Sequence, residues 1–297
     1  MAEAVLLTGA RGFVGRAVLA ELVAQGLPVH AVSRQGHGPA LPGVTWHQAD
    51  LLQADDRAAL IRAAPAPRLI HCAWYVEHGR FWTAPENRDW HLASVDLVRL
   101  FRARGGGRVI GLGTCAEYDA LSEVPWDESR PLAPATPYGQ AKAALYDDLS
   151  AICGQDLVWA RLFHLFGPGE DPRRLIPGLI ADLREGRVAE VRAAGLLRDY
   201  ASTHHIARSL VALLDSPASG PVDLGAGQPR SLGQLAQTLG DLLGRPELVR
   251  LSHNPGPADP PAMTPRLTKL HAAIGPVTEQ PEQALARLLL DQPLRAR

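Results

Sequence analysis

Short apolar runs alternate along the chain with longer stretches whose apolar residues recur at helical spacing. Val5-Leu6-Leu7 is the first run, and Val14, Val18, Leu19, Leu22 and Val23 then mark one face of a helix from Phe13 to Gln25, which Gly26 stops. The same reading predicts strands at Val29 to Ser33, Val44 to Gln48, Arg68 to Ala73, Arg108 to Leu112 and Leu157 to Phe163. Between them it predicts helices from Ala54 to Ala63, through Arg104 to the stop at Gly105-Gly106-Gly107, and from Tyr138 to Cys153. Strands alternating with helices imply an α/β fold with a doubly wound parallel sheet and right-handed crossovers. Pro131 to Pro137 reads as an extended loop feeding the helix at Tyr138. Beyond Gly167-Pro168-Gly169 the alternation fades. Leu175 to Glu185, Val188 to Ala193, Thr203 to Leu214, Val222 to Leu224 and Leu232 to Leu243 read as a smaller mixed lobe, followed by a proline-rich connection at Asn254 to Pro265 and tail helices ending with Leu285 to Leu290.

Composition narrows the class without naming a chemistry. At 297 residues the chain is long enough for one large domain plus a smaller lobe, and 46% hydrophobic with 21% charged residues is ordinary for a globular protein. No apolar run approaches a membrane span. A net charge of -1 gives no electrostatic case for nucleic acid or an anionic membrane. Met1-Ala2-Glu3-Ala4 lacks the basic and apolar regions of a secretory leader, and Cys72, Cys115 and Cys153 are odd in number without metal-like spacing. A reducing cytoplasm is therefore the expected location.

Candidate chemistry starts at the first strand. Gly9, Gly12 and Gly15 between it and the first helix would let the backbone turn sharply, approach a pyrophosphate with its N–H groups and pack helix on strand. The helix N-terminus then faces the anion. Their spacing departs from G-x-G-x-x-G, so the strand and helix context carries the assignment. Further on, Tyr138-Gly139-Gln140-Ala141-Lys142 puts a phenol and an ammonium on one helix face, where the cation is expected to lower the phenol's pKa and fit it for proton exchange with a hydroxyl or carbonyl. Thr114 adds a hydroxyl at the C-terminal edge of the sheet, where ligands of open α/β folds sit.

With Thr8-Gly9-Ala10-Arg11-Gly12-Phe13-Val14-Gly15, Thr114, Tyr138 and Lys142 in this order, the chain resembles the extended short-chain dehydrogenase/reductase family of NAD-dependent epimerase/dehydratase-like nucleotide-sugar enzymes. Asp50-Leu51, Arg161 to Gly169 and Arg198-Asp199-Tyr200 look familial too, as do Val222 to Gly227 and Leu267 to Pro276. The resemblance implies a Rossmann dinucleotide-binding domain over residues 1–166 and a mixed C-terminal substrate lobe over 167–297, with an approximate boundary and the chain able to cross back. It implies Tyr138 as acid/base, Lys142 as holder of the nicotinamide ribose, and Thr114 as hydrogen-bond partner of the reacting sugar oxygen. Gly9, Arg11, Gly12, Phe13, Val14, Gly15, Asp50, Leu51 and Ala73 would surround the cofactor, Asp50 at the adenine. Cys115, Ala116, His164, Arg174 and Arg198 would meet a nucleotide-diphosphate sugar, the arginines through bidentate contacts. Thr114 is alternatively a plain strand-end hydroxyl, His164 a structural histidine, and any of Arg173, Arg174, Arg192 and Arg198 a solvated charge.

Departures from the family pattern narrow the reaction. Sugar 4,6-dehydratases follow the hydroxyl with an Asp-Glu pair, whereas Thr114 is followed by Cys115-Ala116-Glu117, with Glu117 expected to point to the other face. The epimerising cysteine of GDP-fucose synthase falls where Ala116 stands, so Cys115 reads as a small buried hydrophobe. The loop Trp74 to Trp82 either covers a ligand or packs against the neighbouring helix. His204-His205 has no supporting ligand pattern, and no metal is assigned. The second strand ends His30-Ala31-Val32-Ser33-Arg34 without the acid that binds the adenosine ribose in NAD-specific folds. Ser33 and Arg34, with Arg11, suit a 2′-phosphate, which favours NADP(H) and leaves NAD(H) possible. The expectation is a homodimeric ketoreductase acting on a keto, 4-keto by preference, nucleotide sugar with NADPH. The alternatives are an epimerase with tightly bound NAD and a non-catalytic dinucleotide sensor.

Overall fold

The computed structural model describes residues 3–256 and 259–291. Met1 and Ala2 of the leader reading and two residues of the proline-rich connection lie outside them. The predicted alternation is present as β1 (Val5–Thr8), α1 (Gly15–Ala24), β2 (Val29–Ser33), β3 (Val44–Gln48), α2 (Ala54–Ala63), β4 (Arg68–His71), α3 (Glu86–Ala103), β5 (Val109–Thr114), α4 (Pro137–Cys153) and β6 (Leu157–Leu162). Helix α1 begins later than the Phe13 expected, because Gly12, Phe13 and Val14 complete the turn out of β1. Pro137 opens α4 because its missing N–H and fixed φ suit a first helical position, and the Thr136 side chain accepts from Gly139 N at 3.2 Å as the cap.

Past β6 come β7 (His164–Phe166), α5 (Leu175–Arg184), β8 (Ala189–Val191), β9 (Leu197–Arg198), β10 (Tyr200–Ser202), α6 (Thr203–Ala212) and β11 (Gly220–Leu224). The chain ends with β12 (Arg230–Ser231), α7 (Leu232–Leu242), β13 (Val249–Leu251), β14 (Ala262–Met263), α8 (Thr268–Ile274) and α9 (Pro281–Asp291). The main sheet has the order β3-β2-β1-β4-β5-β6-β11 and is parallel throughout. Two of the segments read as lobe therefore belong to the first layer system: β11 is the edge strand beside β6, and α6 packs on α1. The chain does cross back, so residue 167 does not partition the sheet.

Alternating strand residues build two cores, as a sheet covered on both faces requires. Val5, Leu7, Ala31, Ile70, Ile110, Val158 and Val222 face α1, α6 and α8. Leu6, Leu69, Val109, Leu157 and Trp159 face α2, α3 and α4. A third core of Ile176, Leu179, Leu183, Leu235, Leu239, Leu285 and Leu288 holds α5, α7 and α9 together as the smaller lobe. Strand order reverses between β1 and β4, and the C-terminal ends of those strands open the crevice where open α/β sheets bind ligands.

Candidate active site

A cleft of about 670 Å³ opens at that reversal. Gly9, Arg11, Gly12, Ser33, Arg34, Asp50, Leu51 and Ala73, all expected on the cofactor, line it together with Trp74 and Trp90. The side chains of Phe13 and Val14 pack on the core beneath the loop. Gly9 has φ +65°, and a Cβ there would lie 2.8 Å from Ala73 N; a Cβ on Gly15 would strike the Gly9 carbonyl. The turn out of β1 is therefore as close to β4 as backbone allows, and no side chain caps the N-terminus of α1 that follows it. That cradle fits a pyrophosphate. At the end of β2, Ser33 Oγ donates to His37 O at 3.3 Å, Arg11 reaches Gln35 and, at 3.5 Å, His37 O, and Arg34 is exposed. Asp50 accepts from Leu52 N at 3.1 Å.

Thr114 ends β5 and sits over a short 3-10 turn, Cys115–Glu117. Its hydroxyl accepts from Ala116 N at 3.2 Å and lies near enough to bear on the Tyr138 side chain in the first turn of α4. Strand and helix thus bring together two residues 24 positions apart in the chain. Phe81 and Trp82 stand edge-on to the Tyr138 ring, at 5.0 and 5.7 Å between centroids, and Tyr138 N donates to Trp82 O at 3.1 Å. The aromatic loop therefore walls the phenol. Burial pushes the Tyr138 phenol up, and the nearby Thr114 hydroxyl and the Arg174 charge only oppose it. This reverses the expectation that Lys142 would lower it: the Lys142 ammonium donates to Leu112 O at 2.8 Å and lies 3.8 Å from the Trp74 ring centroid. Burial also holds Lys142 down, to about 7.

Glu117 points away from the site, as expected, although its backbone is a 3-10 turn rather than extended. It is fully buried, pairs with Arg161 Nε at 2.7 Å, and accepts from Trp159 Nε1 at 3.0 Å and from Thr114 N at 2.8 Å. Arg161 Nη1 donates to Tyr118 Oη at 3.0 Å, and Tyr118 donates to Asp223 Oδ1 at 2.7 Å. This buried network, which fixes the backbone under Thr114 from behind, was missed in the sequence. No local signal marks it, because Glu117 lies in the turn after β5 and Arg161 on the neighbouring strand β6, 44 positions on.

On the lobe side, His164 stacks on Tyr200 at 5.1 Å between ring centroids. Burial, with Arg198 and Arg174 adding to it, pushes the imidazole down to about 3, so it is neutral. Arg198 is buried and donates to Leu197 O and Pro260 O at 2.8 and 2.9 Å. Arg174 is close enough to bear on Tyr138, His164 and Tyr200 alike. Cys115 is half-buried against Tyr118, Trp126 and Phe163, and burial pushes its thiol up to about 12. It is an inert small hydrophobe here. His205 Nε2 meets Gly225 O at 3.1 Å.

A seven-stranded parallel sheet and a glycine cradle at its switch point define a dinucleotide-binding α/β fold, with Lys142 behind the cleft wall at Trp74. Residues 5–225 match the NAD dependent epimerase/dehydratase family, and the chain belongs to that family of extended short-chain dehydrogenase/reductase enzymes. It is 26% identical over 296 residues to a dTDP-4-dehydro-6-deoxy-D-allose reductase of Streptomyces bikiniensis, a match covering 91% of this chain and 90% of that protein. It is 33% identical over 141 residues to a dTDP-glucose 4,6-dehydratase of Streptomyces niveus, spanning 45% of this chain but only 41% of the dehydratase. A UDP-N-acetylglucosamine 4-epimerase from Methanobrevibacter ruminantium M1 shares the fold, with a TM-score of 0.85 and 20% identity over 97% of both chains. Among the described residues no helix is long and apolar enough to cross a membrane.

Proposed function

We propose that this protein reduces the keto group, 4-keto by preference, of a nucleotide-diphosphate sugar with NADPH. The observation that carries the reading is the end of β2, where Ser33 and Arg34 line the cleft and no carboxylate stands to bind the adenosine ribose, an arrangement that suits the 2′-phosphate of the cofactor form that supplies hydride for net reduction. When bound, the reduced nicotinamide supplies the hydride. Tyr138 gives its proton to the oxygen that becomes the hydroxyl, Thr114 orients that oxygen, and Lys142 would hold the nicotinamide ribose. Arg174 and Arg198, flanking the neutral His164, suit the diphosphate of the substrate. Cys115 and Ala116 following Thr114 offer no acid or base for removing water.

The cofactor preference rests on Ser33 and Arg34 at the end of β2, with the Arg11 guanidinium reaching the same loop at Gln35 and His37. Charge-assisted bonds to a phosphate are worth about 1.5–3 kcal/mol, so Arg34→Ala should weaken NADPH by roughly 10- to 100-fold and leave NADH nearly unchanged. Tyr138→Phe should keep cofactor affinity while turnover falls by a factor on the order of 10² or more. Preference for NADH together with NAD retained through purification would move the assignment to epimerisation. Absence of turnover with every keto sugar tried would move it to a dinucleotide sensor.

A further inference from the structure

Lys142 is 5% exposed, and its ammonium has one hydrogen-bond partner among the described residues, the Leu112 carbonyl. A buried ammonium with one acceptor is poorly compensated. Glu117, the carboxylate that acts on it, is already taken by Arg161, Trp159 and Thr114 N. The remaining charges around it offer little: burial keeps the Cys72 thiol up at about 12 and His71 down at about 3, so both are neutral, as is Tyr138 on its own helix. What lies against the ammonium is π-surface. Trp74 is 3.8 Å away at its ring centroid, with Trp159 further off at 5.9 Å. Trp74 is also held in place: its Nε1 donates to Asn87 Oδ1 at 2.9 Å, and the buried Asn87 is tied in turn to Phe81 O at 2.7 Å and Ala84 O at 3.0 Å. This Trp lines the cleft directly after Ala73.

We infer that Trp74 is a positioning residue of the proton-transfer site, its indole face compensating the buried Lys142 so that the side chain stays an ammonium beside Tyr138. The inference rests on the reading that Lys142 and Tyr138 serve the reaction. A desolvated cation over an indole gains enough from the ring to offset part of the burial that holds Lys142 down to about 7. Removing the face shifts the balance toward the neutral amine, by about one pH unit.

The chain has only two lysines, Lys142 and Lys269, which makes the test direct. In cofactor-free protein labelled with 15N-lysine, the side-chain signal lost in Lys142→Met identifies Lys142, and Lys269 serves as an internal reference. Trp74→Leu should lower the Lys142 titration midpoint by about one pH unit, and Trp74→Phe, which keeps a weaker face, by clearly less. In steady-state assays the alkaline limb of kcat/KM should move down by the same interval, because activity needs the ammonium. An unchanged midpoint in folded Trp74→Leu, or equal shifts in the Leu and Phe variants, overturns the inference. The titration needs no turnover, so its outcome stands apart from that of the reductase assays: active enzyme with an unmoved midpoint sinks only the role of Trp74.

Discussion

Replacing Glu117 with alanine would leave the Arg161 guanidinium buried with Tyr118 as its remaining side-chain partner. The two side chains are 0% and 2% exposed, so water cannot substitute for the lost carboxylate. Removing one member of a buried pair costs about 3–5 kcal/mol, because the survivor is an uncompensated charge. The Trp159 N–H and the Thr114 amide lose their acceptor at the same time. At about 2–4 °C per kcal/mol for chains of a few hundred residues, Tm should fall by roughly 10 °C. The discriminating variant is the double replacement Glu117→Leu/Arg161→Met, which removes both charges and fills their volume; it should be more stable than Glu117→Ala alone. Urea denaturation followed by tryptophan fluorescence measures all of them. A loss below about 1 kcal/mol in Glu117→Ala, or a double variant as unstable as the sum of its singles, would refute the argument that Glu117 is retained to neutralise Arg161 under the site.

Two further outcomes are open to measurement. His71 and His164 are both pushed down to about 3 by burial, below the ordinary 6.5, so their contribution to stability is fully present above pH 6.5 and is lost as the pH falls toward 3; denaturation between pH 7 and 4 should show it at up to about 1.4 kcal/mol per pH unit for each ring, and His164→Asn should flatten the slope. The outer faces of α3 and α4, where Leu92 is 56% exposed and His91 bonds Asp148 at 2.7 Å, are expected to pair two copies in a four-helix contact; light scattering at micromolar concentration should give a dimer mass that Leu92→Asp lowers, and a wild-type monomer would count against it.

What was legible in the sequence is what local periodicity and chain order encode. The β1 to α1 turn, the β5 hydroxyl and the Tyr138 and Lys142 pair could be placed because each depends on neighbours within one or two elements. The edge strand β11 could not be placed in the sheet, since three apolar-patterned residues say nothing about which distant strand they will join. Trp74 stood out as an aromatic, yet the identity of its cation depends on α4 packing beneath it. Tyr138 is the instructive miss: helical spacing correctly put a lysine on its face, but spacing does not reveal burial, and burial sets the phenol's proton affinity, with Arg174 rather than Lys142 as the cation that opposes it. The same effect, invisible in sequence, made His164 neutral.

The return of β11 to the sheet also bears on how the chain reaches its native state. Val158 pairs with Gly220, so the last strand of the sheet cannot dock until residues 163–219 have been synthesised. Until then the outer side of β6 is an open row of backbone donors and acceptors on the apolar strand Leu157-Val158-Trp159-Ala160, a template for pairing with another chain. Long-range parallel pairing of this kind is slow because loop closure precedes any reward. The emerging polypeptide is thus most vulnerable to aggregation between completion of β6 and arrival of β11, and a fragment cut near residue 167 would carry that exposed edge permanently.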